Sequence, residues 1–136
     1  MDSLRSRINV KLESDYQDNR CITWQEAGKM SEAGMEMGSH GASHSSMARI
    51  PFKDAEAEVI ISKNIIEQNI NKPCCHFAFP FGSKRDYNQP LVDFVRDAGF
   101  KTCLLNIHGY NYPENNNFYF KRIIMEESTS ISCILG

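Results

Sequence analysis

The chain has 136 residues, 41% of them hydrophobic and 24% charged, a size and mixture that suit one compact domain. Such a chain buries roughly two-thirds of the surface it exposes when unfolded, so neither a disulfide framework nor a structural metal is needed merely to fold it. Fifteen basic residues against seventeen acidic ones give a formal net charge of −2, without the positive excess needed to track a phosphate backbone, which argues against nucleic acid as a partner.

Residues 1–21 alternate charge and polarity, and only Ile8, Val10 and Leu12 are spaced by two. At most one short strand is expected in this poorly defined segment, and residues 22–136 read as the domain proper. Thr23-Trp24-Gln25-Glu26 is a capping box, in which the threonine hydroxyl and the glutamate carboxylate each satisfy a free backbone N–H. It opens a helix from Trp24 to about Ala33, stopped by Gly34. Met35 to His40 alternates and is flanked by closely spaced glycines, which predicts a short strand with His40 at its end.

From Phe52 to about Asn69, Ala55, Val59, Ser62, Ile66 and Ile70 recur at intervals of three and four, with Ile61 and Ile65 alongside. This is an amphipathic helix, expected to end at Pro73. Cys75 to Phe79 forms a short apolar run of buried-strand type, bounded by Pro80 and Gly82. Leu91, Phe94, Val95 and Ala98 predict a second short helix closed by Gly99, then a buried strand from Phe100 to Leu105. The Asn-rich stretch 111–117 is a loop before a last strand near Phe120 to Met125. Alternating strands and helices predict an α/β domain with a parallel sheet, in which ligand chemistry gathers at the carboxyl ends of the strands.

Five cysteines, Cys21, Cys74, Cys75, Cys103 and Cys133, include only one close pair, and that pair is adjacent. This spacing fits neither a disulfide framework nor a CxxC zinc knuckle, so they read as buried or free thiols in a reducing compartment. No apolar stretch of signal-peptide length opens the chain, and the aliphatic cluster VIISKNII is broken by Ser62, Lys63 and Asn64. As written, the chain is expected to be cytoplasmic and without a membrane segment. If the true N-terminus lies upstream, it is secreted or periplasmic.

His40-Gly41-Ala42-Ser43-His44 has metal-ligand spacing, since two imidazoles four residues apart can converge on one ion from a helix or a tight turn. The bland alternative is a pair of loop histidines hydrogen-bonded to backbone. Gly41 and Ala42 replace the glutamate of HExxH zinc proteases, which excludes that class. Ser39, Ser43, Ser45 and Ser46 lie in neither a GxSxG elbow nor an SxxK pair and read as cap and turn residues. His76 and His108 are isolated and read as structural, Cys74 and Cys75 as packed, and Met30, Met35, Met37 and Met47 as core filling.

These residues carry a family resemblance. The capped helix followed by Gly34-Met35-Glu36-Met37-Gly38-Ser39-His40-Gly41-Ala42-Ser43-His44 resembles the second motif of the NodB-type polysaccharide deacetylases (carbohydrate esterase family 4), G-x-E-I-G-S-H-T-x-x-H. Phe77-Ala78-Phe79-Pro80-Phe81-Gly82 is similar to their third motif in its F-A-Y-P-Y-G variant, and Asp97 to Lys101 is similar to the helix end and strand that follow. The resemblance spans roughly residues 22–125.

It implies a partial, distorted (β/α) barrel and hydrolysis of N- or O-acetyl groups on an acetylated poly- or oligosaccharide by metal-activated water. His40 and His44 would hold a divalent ion, zinc by preference or cobalt or nickel. Phe79, Pro80, Phe81 and Gly82 would form a wall of the sugar groove, and Phe81 replaces the usual tyrosine. The backbone N–H beside that ring would help bind the oxyanion. The family's first motif, T-F-D-D, has no counterpart in residues 1–39, so no aspartate base is carried over and the catalytic residues stay unknown. Ala78 stands where many members have an arginine, and neither a tryptophan-bearing fourth motif nor a final Leu-x-x-x-His is present. The alternative reading is therefore a non-catalytic carbohydrate- or partner-binding module derived from a deacetylase, and a third is an α/β domain with structural histidines. A partial barrel leaves strand edges unpaired, which predicts a homo-oligomer or a completing partner chain.

Overall fold

The structure is a computed structural model and describes residues 21–114 and 116–124. The strand expected around residues 8–12, Met125 and Cys133 lie outside the described residues. Helix α1 spans Trp24–Glu32 and begins with the expected capping box. Thr23 N–H donates to Glu26 Oε2 at 2.8 Å, and Glu26 N–H donates to Thr23 Oγ1 at 3.3 Å. Helix α2 spans Phe52–Ile70 after a short 3₁₀ turn at Met47–Arg49.

Asn71, not Pro73, stops α2. It adopts a left-handed conformation (φ +56°) and its N–H donates to Glu67 O at 2.9 Å, leaving Pro73 two residues past a helix already closed. Helix α3 spans Gln89–Asp97, with Asn88 as its N-cap and Pro90 in its first turn. No helix among the described residues is long and apolar enough to cross a membrane.

Three strands, β1 (His76–Ala78), β2 (Thr102–His108) and β3 (Phe120–Arg122), form a parallel sheet in the order β1-β2-β3. Strand β1 pairs with β2 in the register Phe77 to Cys103, and β2 shifts register against β3 between Leu104 and His108. The strand expected at residues 35–40 is reduced to one parallel bridge, Ser39 with Phe77. Helix α2 connects that segment to β1, and α3 connects β1 to β2, as parallel neighbours require.

Period-two alternation splits the sheet's residues between two faces. Phe77, Phe79, Cys103 and Leu105 face the helices and join Val59, Leu91, Val92, Val95 and Phe100 in one core. The Phe77 ring meets Phe79 edge to face, with centroids 5.1 Å apart, and Phe100 at 5.3 Å. The other face carries His76, Ala78, Thr102, Leu104 and Phe120 and lines an open cavity of about 460 Å³. In a closed barrel that face is the interior, so the described strands and helices fit the expected partial (β/α) barrel.

Two packing expectations need correction. Ala55, Val59 and Ser62 are buried, but Ile61 and Ile65 on the flank of α2 are 48% and 40% exposed, because one sheet face covers only part of the helix. Of the four methionines read as core filling only Met47 is buried, and Met35 is 55% exposed in the loop after α1.

Candidate active site

His40 follows directly on the bridge that ties its segment to β1. Ser39 N–H donates to His76 O at 2.8 Å, and Ala78 N–H donates to Ser39 O at 2.8 Å. The buried Ser39 hydroxyl shares a hydrogen bond with Ser62 Oγ at 2.7 Å, which fastens the same residue to α2. His40 therefore leaves the sheet at its carboxyl edge, where parallel α/β folds place ligands. Its Nδ1 lies 2.7 Å from Ala78 O. A carbonyl only accepts, so Nδ1 carries a proton, and in the neutral tautomer this contact selects the lone pair is on Nε2.

The chain then turns back on itself. Gly41 has φ +78°, a conformation that favours glycine, and a β-carbon there would lie 2.9 Å from Met47 Cε, the end of that side chain. Ala42 N–H and Ser43 N–H both donate to Glu58 Oε2 on α2, at 2.8 and 2.7 Å. Burial pushes the Glu58 carboxyl up, but the hydrogen bonds from Ser43 and Ala42 outweigh it and hold the group below the ordinary carboxylate value. His44 ends the turn in a left-handed conformation, φ +60°, which brings its ring to 4.9 Å from that of His40, centroid to centroid, with the planes 72° apart.

A second strained turn faces the first. Beyond β1, Gly82 N–H donates to Pro80 O at 2.7 Å, closing a three-residue turn with Phe81 at φ +60° in its centre. A γ-turn of this hand is rare for a residue with a side chain. Gly82 is wedged against β2, where a β-carbon would come within 2.6 Å of Asn106 N. The turn turns the Phe81 ring outward, 55% exposed, to within 4.9 Å of the His44 ring, edge to face. The Phe81 N–H has no hydrogen-bond partner among the described residues.

Asp86 links the two turns. The buried carboxylate accepts Ser46 Oγ–H at 2.6 Å from the histidine side and Ser83 N–H at 3.1 Å, together with the Ser83 hydroxyl, from the phenylalanine side. The Ser46 and Ser83 hydroxyls hold it below its ordinary value against the upward push of burial.

Of the groove wall expected from the sequence, Phe79, Pro80 and Gly82 are buried, and only Phe81 presents its ring to solvent. Phe79 is a core residue stacked on Tyr87 at 5.6 Å, because its place one residue past β1 points it toward the helices. Neither isolated histidine joins the pair. His76 Nδ1 lies 2.7 Å from Thr102 Oγ1, with Glu36 Oε2 3.7 Å from its other nitrogen, and His108 Nδ1 accepts the Ile124 N–H at 3.4 Å.

Among the described residues no three His, Cys, Asp or Glu side chains stand close enough to hold one ion. The donor set nevertheless suits a two-histidine share of a metal site. The rings are adjacent, the His40 tautomer is fixed by a carbonyl behind it, and imidazole nitrogen is a common zinc ligand. Sequence reading missed Glu58, Asp86 and the Ala78 carbonyl, which hold this arrangement. Only Glu58 left a signal, a charged residue three after Ala55 and four before Ser62 on an otherwise buried helix face.

The sequence profile described as polysaccharide deacetylase matches residues 8–103. The chain belongs to that family. The match begins ahead of residue 22, where the motif resemblance starts, and ends within β2. A Streptococcus pyogenes deacetylase, PplD in complex with acetate, superposes with a TM-score of 0.77 at 18% identity, over 88% of this chain and 51% of that one. BC0361, a polysaccharide deacetylase from Bacillus cereus, gives a TM-score of 0.72 at 19% identity, over 88% and 37%. IcaB from Ammonifex degensii gives 0.64 at 18% identity, over 78% and 48%. The chain thus spans about half or less of the length of these structures and shares their fold. No curated protein matches its sequence significantly.

Proposed function

We propose that the chain carries the metal-binding and substrate-facing edge of a carbohydrate deacetylase, acting on N- or O-acetyl groups of an acetylated polysaccharide. The observation that supports this reading is the adjacency of the His40 and His44 rings, centroids 4.9 Å apart, in a family member, with the His40 Nδ1 hydrogen-bonded to Ala78 O. His40 and His44 would hold a divalent ion, zinc by preference, with water or a carboxylate from outside the described residues completing its shell. When bound, such an ion supplies Lewis acidity at the acetyl carbonyl and a water that loses its proton near neutral pH.

The chain's own residues supply position. Ala78 O fixes which His40 nitrogen is free, and the exposed Phe81 ring offers a flat apolar surface to one face of a sugar ring. The Phe81 N–H is a donor available to a developing oxyanion. The acetate captured with the Streptococcus pyogenes relative is the product such a reaction releases.

Acetate release from an acetylated chitin oligomer and from acetylated xylan, with zinc or cobalt added, tests the reading. Activity that disappears with a chelator and in His40→Ala supports it. Metal binding without acetate release from either substrate favours a carbohydrate-binding module, a reading consistent with the lack of a third donor among the described residues.

A further inference from the structure

We infer that Glu58 is the positioning residue of the histidine pair, a carboxylate on α2 that sets the 40–44 turn so that the two imidazoles stand side by side. The inference rests on the metal reading above and adds a residue to it. Between the two histidines the turn has three residues, and two of their N–H groups, Ala42 and Ser43, end on the single oxygen Glu58 Oε2. Hydrogen bonds to a carboxylate are roughly twice as strong as neutral ones, so this contact is a strong constraint on the turn.

The rest of the loop is built around it. Gly41 keeps the space beside Glu58 clear, since a β-carbon there would sit 3.3 Å from Oε2 as well as against Met47. The turn delivers His44 in a left-handed conformation that is unfavourable for a non-glycine residue, and the Glu58 clamp offsets that cost. Helix α2 is itself anchored to the first histidine's segment, because Ser62 Oγ, bonded to Ser39 Oγ, also donates to Glu58 O at 2.7 Å. One helical turn thus fixes the residue before His40 by a hydroxyl and the residues before His44 by a carboxylate. Glu58 makes no hydrogen bond or ion pair with either imidazole and acts on them through the Ala42 and Ser43 segment of the turn.

Cobalt titration of the full chain, read by calorimetry and by the visible bands of the bound ion, tests this alongside amide NMR of the metal-free protein. Wild type binds cobalt and His40→Ala does not. Glu58→Ala weakens affinity about 10–100-fold, the usual effect of losing a group that orients a ligand. Glu58→Gln, which keeps a carbonyl acceptor without the charge, recovers part of the loss, a rescue that general destabilisation would not produce. The Ala42 and Ser43 amide signals shift upfield in Glu58→Ala. Should Glu58→Ala not fold, Glu58→Leu, similar in length but without an acceptor, repeats the test. Affinity within about twofold of wild type, or amide signals unmoved, overturns the positioning role while the metal reading stands. A wild-type chain that takes no cobalt overturns both.

Discussion

The helix-covered face of the sheet and the two turns at its carboxyl edge are held by different forces. On the covered face Phe77, Phe79, Cys103 and Leu105 sit in regular strand or directly beside it, almost wholly buried, and stability comes from apolar area removed from water. At the edge, His44 and Phe81 both adopt left-handed backbone and both stay exposed, so burial contributes little there. Polar anchors replace it, Glu58 under one turn and Asp86 between the two. The difference teaches where to look for chemistry. A chain tolerates strained, exposed aromatic and imidazole side chains at adjacent turns only where the surrounding contacts over-determine them, and such strain clusters at functional sites.

Phe77→Ala removes a ring with no solvent exposure that packs against Phe79 and Phe100, and should cost about 3–5 kcal/mol in urea unfolding. A loss below 1 kcal/mol would mean that the covered face is not the source of stability.

Asp86→Ala strands two hydroxyl donors and a backbone N–H and should cost about 1–3 kcal/mol. The contribution of Asp86 also depends on pH. Its carboxyl lies lower when folded than when unfolded, so below the ordinary value near 4 the unfolded chain binds the extra proton. The stabilisation is full above about pH 4 and is lost as pH falls through the depressed value. Unfolding curves for wild type and Asp86→Asn should therefore draw together in acid, and a constant gap would remove the assignment.

Phe81 sharpens the contrast. Because its backbone is left-handed and its ring exposed, Phe81→Gly should be more stable than Phe81→Ala by about 1–2 kcal/mol, a difference no regular strand position would give. The smallest effect belongs to the open flank of α2. Ile61→Lys should change stability by about 0.5 kcal/mol or less, whereas a larger loss would show that this flank is covered.

Much of this architecture is legible in the sequence, because local rules decide it. The capping box at Thr23 and Glu26, the three-four spacing from Ala55 to Ser62 and the apolar run at Phe77 each name an element that the structure contains. What was not legible depends on contacts distant in sequence. The end of α2 followed the left-handed Asn71, which tolerates that conformation, and left the proline downstream with nothing to stop. The exposure of Ile61 and Ile65 depends on how wide a face the sheet covers, which periodicity does not encode. At the site, the histidine spacing was visible, but the strain at His44 and Phe81 was not, since neither residue type announces left-handed backbone. The outward turn of Phe81 and the burial of Phe79 and Pro80 follow from where β1 stops, a boundary set by pairing with β2.

Whether His40 and His44 share one ion is measured directly by X-ray absorption at the zinc edge. Zinc-loaded protein should show the scattering pattern of two imidazoles, reduced to one in His40→Ala and in His44→Ala. A spectrum with oxygen neighbours only, unchanged by either substitution, would contradict a shared ion.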